Sequence, residues 1–288
     1  FADELCVPSY PYYNLFKSLE MKIDVWISLV DLVHKAEKKI YLDVYGFESL
    51  SVAHELKVDG VKISTTDFYN FPLVKEVFSS FDTVFLSTGG VPIQDIQDML
   101  KTFATPKNLT LLHGFQAEPT AIADNNLNRI SSLKSCFPHV KIGFMDHSLG
   151  SDDEASYLPL LALGLGVHSI EKHISLDYNL EIEDYISALS IDRFKIFTKL
   201  VRKMEPSLGS AALVLTEKEI EYKNKAGKIP VAKNDLKNGE MITASNMVMK
   251  RFSTKPSDEY YTRINDVIGK TLKSAIKKDQ PFGINNLK

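Results

Sequence analysis

Two histidines, His147 and His173, carry the clearest chemical signal in the chain, because each follows a charged residue at the end of a short β-like run. The first run, Lys141-Ile142-Gly143-Phe144-Met145, breaks into Asp146-His147-Ser148. The second, Val167-His168-Ser169-Ile170, leads into Glu171-Lys172-His173. Two imidazoles brought together at strand ends could hold a divalent metal. The competing reading is a pair of structural histidines satisfied within the fold. Lys62 is a second signal: it ends an otherwise apolar strand, where it would point a charge into a site. The run Ser87-Thr88-Gly89-Gly90 leads from a strand towards a helix, so its hydroxyls and amides could receive an anion. Taken alone, it is also an ordinary helix entry.

The elements that must position these residues alternate regularly. Six strand candidates fall at 39–46, 60–65, 83–88, 109–115, 141–145 and 167–174. Between them lie helix candidates at 47–56, 71–78, 92–103, 126–136 and 155–165. An amphipathic run at 13–21 and a helical spacing over 23–38 precede the first strand, and a helix over 190–204, capped by Ser190, follows the last. Short strands alternating with helices indicate βα units and a parallel sheet. Polar groups emerging at successive strand ends are the pattern of the catalytic face of a TIM (β/α)8-type barrel. Six units are two short of that closure, and the simplest account is that the first two strands are absent from this sequence. A doubly wound open sheet is the alternative. The polar stretch 213–228 reads as a linker, and 229–288, with short runs and turn signals such as Asn238-Gly239, reads as a compact second domain.

With 288 residues the chain is long enough for one large domain, here 1–212, and one small one. Net charge is −3, which gives no global basic field for nucleic acid. Two cysteines, Cys6 and Cys136, form no disulfide framework and suggest a reducing compartment. The longest apolar run, 157–167, is too short to span a bilayer, and no signal peptide is visible, so a cytoplasmic location with no membrane partner is expected. The chain begins at Phe1 without an initiator methionine, as a processed chain or an excerpt would.

The motifs resemble those of the sialic acid synthase (NeuB) family. G-F-M-D-H-S-L-G is similar to that family's G-Y-S-D-H-T-x-G, and I-E-K-H-I-S-L-D to its I-E-K-H-F-T-L-D. The stretch from Val231 to Glu240, with Val267-Ile268-Gly269-Lys270 and Ile276-Lys277-Lys278-Asp279, resembles its antifreeze-protein-like (SAF) domain. Family members begin with two strands, carrying a glutamate and an active-site lysine, just before a segment like Phe1-Ala2-Asp3-Glu4-Leu5; the resemblance therefore implies that those strands are missing here.

The resemblance implies a condensation of phosphoenolpyruvate with the aldehyde of an N-acetylated amino sugar, releasing phosphate. It implies Mn²⁺ or Mg²⁺ on His147 and His173, with Asp146 and Glu171 beside them in catalytic roles. Lys62 and Thr65 match the family's K-I-A-S-G-E, Ser87 and Thr88 its L-S-T-G-M, and Asn126 its V-N-L. Arg251 matches the arginine of K-R-P, with Phe252 in place of proline, and in the family this residue reaches the partner's site across a homodimer. The departures fall on the substrate side. Met145 replaces a serine, the threonine of L-S-T-P-F-D is lost at 42–46, and Asp184-Tyr185 replaces an Asp-His. His113-Gly114-Phe115-Gln116 with Pro119-Thr120 is similar to the SpsE-like spore-coat polysaccharide branch, and it brings in Gln116 and Asp184 as substrate-side candidates. Two other functions are weighed: a non-catalytic sugar- or partner-binding homologue that has lost its first two strands, and a metal-dependent aldolase using pyruvate.

Overall fold

The computed structural model describes residues 7–117, 119–182, 184–251 and 259–288; the Phe1-Ala2-Asp3-Glu4-Leu5 segment, Cys6, Glu118 and Phe252 lie outside them. The chain divides into two compact units, Phe1–Gly209 and Ser210–Lys288.

The first unit opens with α1 (Tyr13–Leu19) and α2 (Ile23–Lys35). Strands and helices then alternate: β1 (Tyr41–Val44), α3 (Phe47–Glu55), β2 (Gly60–Ile63), α4 (Phe71–Ser80), β3 (Thr83–Ser87) and α5 (Ile93–Thr102). They continue with β4 (Asn108–His113), α6 (Asn128–Cys136), β5 (Lys141–Asp146), α7 (Glu154–Gly164) and β6 (Ser169–Lys172). After His173 come β7 (Ile174–Ser175), β8 (Leu189–Ser190) and α8 (Ile191–Met204). The Ser190 hydroxyl accepts from the Arg193 amide at 3.3 Å and caps α8, as the sequence leads one to expect.

Strands β1 to β6 form one sheet in chain order, every neighbouring pair parallel. A doubly wound sheet reverses its strand order at a switch point, so that alternative is excluded. The sheet is also curled. In a flat sheet β2 and β6, four spacings apart, would stand about 19 Å from each other. Yet the Lys62 ammonium on β2 lies 2.9 Å from a Glu171 carboxylate oxygen on β6. The arrangement is a curled half-barrel. Its end strands, β1 and β6, line one cavity of 1230 Å³.

Residue alternation explains which face is which. Val44, Val61, Ile63, Val84, Leu86, Leu111, Ile142 and Phe144 pack with helix residues such as Leu50, Leu73, Val77, Ile96 and Ile130 into the main core. Each fully buried aliphatic side chain contributes about 1.5–3 kcal/mol. The residues of opposite parity, Asp43, Lys62, Phe85, Thr110, Gly143, Met145, Ser169 and Glu171, stand in register on the inner face. A parallel sheet covered by helices on both sides is apolar on both. This one carries charge on its inner face, so that face is built for a ligand.

Close approach between strand ends requires glycine. Gly114, just after β4, has φ +126°, and a Cβ there would stand 2.3 Å from the Met145 carbonyl oxygen. Gly114→Ala is expected to cost about 1–3 kcal/mol, read as a lowered urea midpoint. An unchanged midpoint would refute this account of how β4 and β5 meet.

The second unit holds α9 (Glu217–Ala226) and an antiparallel pair, β9 (Lys228–Ala232) with β10 (Met247–Arg251). Its core is Ala232, Leu236, Ile242, Met247, Val267, Leu272, Ile276, Phe282 and Leu287. The stretch expected to be a linker contains α9. A capping box holds its start: the Thr216 hydroxyl accepts from the Glu219 amide, and the Glu219 carboxylate accepts from the Thr216 amide. Among the described residues no helix is long and apolar enough to cross a membrane.

Candidate active site

The inner face of the half-barrel centres on Lys62. Its ammonium lies 2.9 Å from Glu171 and 3.2 Å from Asp43, and the Ser64 hydroxyl donates to Asp43 at 2.8 Å. One cation faces two carboxylates. Burial alone would lower the Lys62 pKa, but Glu171 and Asp43 outweigh it and hold the ammonium above its ordinary value. Burial pushes the Asp43 carboxyl up, against the pull of Lys62. One Asp43 oxygen, Oδ1, and the Ser169 hydroxyl are buried without a hydrogen-bond partner among the described residues. Buried polar atoms left unsatisfied are uncommon, and both residues line the cavity between β1 and β6, where a ligand's polar groups would pair with them.

His147 and His173 stand together, ring centroids 5.0 Å apart and planes inclined by 53°. His147 is buried, and its Nδ1 has no hydrogen-bond partner among the described residues. Burial pushes the His147 pKa down, with the neighbouring His173 adding to it, so the ring is held neutral with a lone pair to offer. An orphaned imidazole nitrogen beside a second imidazole fits a divalent cation, the remaining positions being left to water and substrate oxygens. Among the described residues no group of three or more His, Cys, Asp or Glu side chains is arranged to hold a metal, so the protein would contribute two nitrogen ligands. Asp184 extends the cluster: its Oδ2 lies 3.7 Å from His173 Nδ1 and its Oδ1 accepts from the Gln116 amide.

Asp146 occupies a different environment. Its carboxylate takes Lys172 at 2.8 Å, both side chains being at most 1% exposed, and its second oxygen accepts the Ser148 amide at 2.8 Å. The second bond closes a tight turn around His147, whose carbonyl also receives the Ser187 hydroxyl and the Thr120 amide, each at 2.8 Å. Burial lowers the Lys172 pKa and Asp146 opposes that shift. The pair lies beneath the two histidines in sequence and in register, Asp146 opposite Lys172.

The other expected residues are less concentrated. Both donors of Thr88, amide and hydroxyl, go to the Leu112 carbonyl, and the Ser87 hydroxyl points at the Met145 sulfur, 3.3 Å away. The Ser87-Thr88 hydroxyls are thus engaged within the fold. Thr65 opens a short 3-10 turn after β2 and is half-buried. Asn126 is exposed, in left-handed backbone (φ +45°), its side chain bonded to the Asp124 carbonyl. The buried neighbour, Asn125, offers its carbonyl to His113 instead. Arg251 is an exposed residue of β10 in the second unit. Sequence reasoning passed over Asp43, Ser64 and Lys172 as site residues. Asp43 had the same signal as Lys62, a charge within an apolar strand.

Comparison with known proteins places this arrangement. Residues 6–212 match the model of the NeuB family and residues 230–288 that of the SAF domain. The chain is 27% identical to N,N'-diacetyllegionaminic acid synthase of Campylobacter jejuni, over 93% of this chain and 78% of that protein. It is 32% identical to pseudaminic acid synthase of the same species, over 92% and 75%. Among solved structures it resembles the N-acetylneuraminic acid (sialic acid) synthetase of Leptospira borgpetersenii, with TM-score 0.67 and 26% identity over 77% of each chain. With the NeuB model matched over residues 6–212, well over half of its length, the chain belongs to the NeuB family.

Proposed function

We propose that this protein is a nonulosonic-acid synthase, condensing phosphoenolpyruvate with the aldehyde of an N-acetylated amino sugar and releasing phosphate. The observation that carries the reading is the pair of neighbouring imidazoles, one with a buried nitrogen unpartnered among the described residues, beside the charged inner face of the half-barrel. The relatives named as synthases match along both units, which disfavours the reading as a non-catalytic homologue.

The chemistry divides among the residues as follows. C3 of the enol forms a bond to the aldehyde carbon, water adds at C2, and the tetrahedral intermediate expels phosphate. His147 and His173 would hold a divalent metal, Mn²⁺ or Mg²⁺, which supplies polarisation of the aldehyde oxygen. Lys62 offers the charge for the phosphate or carboxylate of phosphoenolpyruvate, exchanging a carboxylate partner for it. Glu171 and Asp43 hold that ammonium in place, and the buried Asp146–Lys172 pair fixes the strand ends that carry the imidazoles.

One lysine against two carboxylates is too little positive charge for a substrate bearing both phosphate and carboxylate. We propose that two further strands, with a second lysine, fill the gap between the end strands β1 and β6 and complete an eight-stranded barrel. The domain limits in this reading are 1–212, a connecting segment over 213–228, and 229–288. The protein works as a cytoplasmic homodimer, the SAF domain's Arg251 serving the partner's sugar site. A monomer in sedimentation velocity would remove that last element.

The reading is tested by phosphate release from phosphoenolpyruvate across a panel of N-acetylated hexosamines, with and without Mn²⁺. Release with one of them supports it; no release from folded, metal-loaded protein with its upstream strands present would sink it. Release also separates this chemistry from a pyruvate aldolase. Lys62→Met should lower kcat/KM for phosphoenolpyruvate about 10–100-fold, the worth of a charged hydrogen bond, in steady-state kinetics. An unchanged value would take Lys62 out of the phosphoenolpyruvate site.

A further inference from the structure

Neither imidazole of the candidate metal pair is oriented by a close ring partner. His147 Nδ1 has no hydrogen-bond partner among the described residues, and the Asp184 carboxylate stands 3.7 Å from His173 Nδ1, beyond hydrogen-bond length. Metal-ligating histidines are ordinarily oriented by such partners. Here the backbone takes over that task, and one segment, Tyr185 to Ser190, reaches both residues. We infer that Arg193 is a positioning residue for the metal site: it anchors this segment to the loop after His147 and so sets the spacing of the two rings. The inference rests on the metal assignment within the synthase reading and adds to it a residue outside the ligand pair.

The segment is bonded to both histidines. The Ser187 hydroxyl donates to the His147 carbonyl at 2.8 Å, and the Leu189 amide donates to the His173 carbonyl at 2.9 Å. Strand β8 then pairs with β7, Ile174 opposite Leu189. Beyond His147 the chain returns to the same segment, the Gly150 amide donating to the Ile186 carbonyl at 2.8 Å. The approach is so close that a Cβ on Gly150 would collide with the Ala188 carbonyl. That carbonyl also accepts from the Tyr178 hydroxyl.

Arg193 closes the arrangement from α8. Its amide donates to the hydroxyl of Ser190, the last residue of the segment. Its guanidinium donates through Nη1 to the Gly150 carbonyl and through Nη2 to the Asp152 carbonyl, each at 2.5 Å. A single side chain thus spans two carbonyls of the loop that leaves His147, while its backbone is tied to the segment that holds both histidines. With 28% of the side chain exposed, these bonds are largely withheld from water. A planar guanidinium suits two carbonyls at once, whereas a lysine ammonium would meet them as a point charge with less fixed geometry.

Mn²⁺ binding to the whole protein, read by electron paramagnetic resonance, tests this without turnover. Arg193→Met is expected to weaken binding about 10–100-fold, the range for residues that position metal ligands. Pulsed measurements at saturating Mn²⁺ should show nitrogen couplings from two imidazoles in the native protein and from one in Arg193→Met. Arg193→Lys should fall between the two, recovering part of the affinity. Ser187→Ala, which deletes the bond to the His147 carbonyl, should weaken binding about 3–10-fold, the worth of one neutral hydrogen bond. Should Arg193→Met fail to fold, Arg193→Lys and Ser187→Ala decide the matter, and native affinity in both overturns the inference. A lowered Tm in Arg193→Met with native affinity and both nitrogen couplings makes its role merely structural; that too overturns the inference and leaves the metal assignment standing. Absence of Mn²⁺ binding or of imidazole couplings in the native protein removes the metal assignment, and this inference with it.

Discussion

Alanine at both His147 and His173 is expected to remove Mn²⁺ binding from this protein, weakening it by more than about 100-fold, since even indirect partners of metal ligands are worth 10–100-fold. Among the described residues the rings are the two nitrogen donors at the site, 5.0 Å apart between centroids, and His147 Nδ1 has no partner there. The single variants should each lose most of the affinity, because one imidazole alone is an ordinary surface-grade ligand. Titration calorimetry or the Mn²⁺ electron paramagnetic resonance signal reads this without catalysis. Circular dichroism should be unaltered, since among the described residues no hydrogen bond of either ring holds the strands together; the clamps on His147 are made by its backbone carbonyl. Unchanged Mn²⁺ affinity in the double variant would refute the assignment.

The second large effect concerns stability. Lys172→Met leaves the Asp146 carboxylate buried without its cation, and breaking a buried pair from one side costs about 3–5 kcal/mol. For a unit of this size that is a fall in Tm of roughly 6–20 °C. Replacing both partners, Asp146→Leu with Lys172→Met, should recover most of the loss, because two apolar side chains incur no desolvation of charge. The double variant serves a second purpose. If it is stable yet binds Mn²⁺ more weakly, the pair positions the imidazoles; if a single Lys172→Met is as stable as the native protein, the pair is not buried as described.

Much of the fold was legible because local rules and the tertiary fold agree. The six strands of the sheet alternate with helices at the expected places, and the Ser190 cap opens α8. Less visible were elements that depend on distant partners. Strand β8 is two residues long and exists through pairing with β7. Helix α9 was read as a linker because its composition is polar, although Thr216 and Glu219 stand at capping-box spacing, a signal present in the sequence. The helix α6 starts at Asn128 rather than Asn126, since Asn126 takes the left-handed conformation that ends the preceding turn.

The site divides in the same way. Residue types together with the family resemblance singled out His147, His173 and Lys62, and the structure brings all three to one end of the sheet's inner face or its rim. Asp43 and Ser64 went unrecognised because their role is to hold Lys62, and that contact joins two strands. Lys172 stood in plain view within Glu171-Lys172-His173, but nothing local reveals that its ammonium is buried against a carboxylate 26 positions earlier. Charge in a motif is read as chemistry by default; here Asp146 and Lys172 are engaged with each other.

The buried pair between Asp146 and Lys172 also alters what counts as one signal in such sequences. Asp-His and Glu-Lys-His look like two independent matches, yet their aspartate and lysine are the two ends of a single ionic bond. Evolution cannot exchange them one at a time without passing through a destabilised intermediate. Among related sequences, loss of the aspartate should accompany loss of the lysine, and an alignment in which the two vary freely would contradict this.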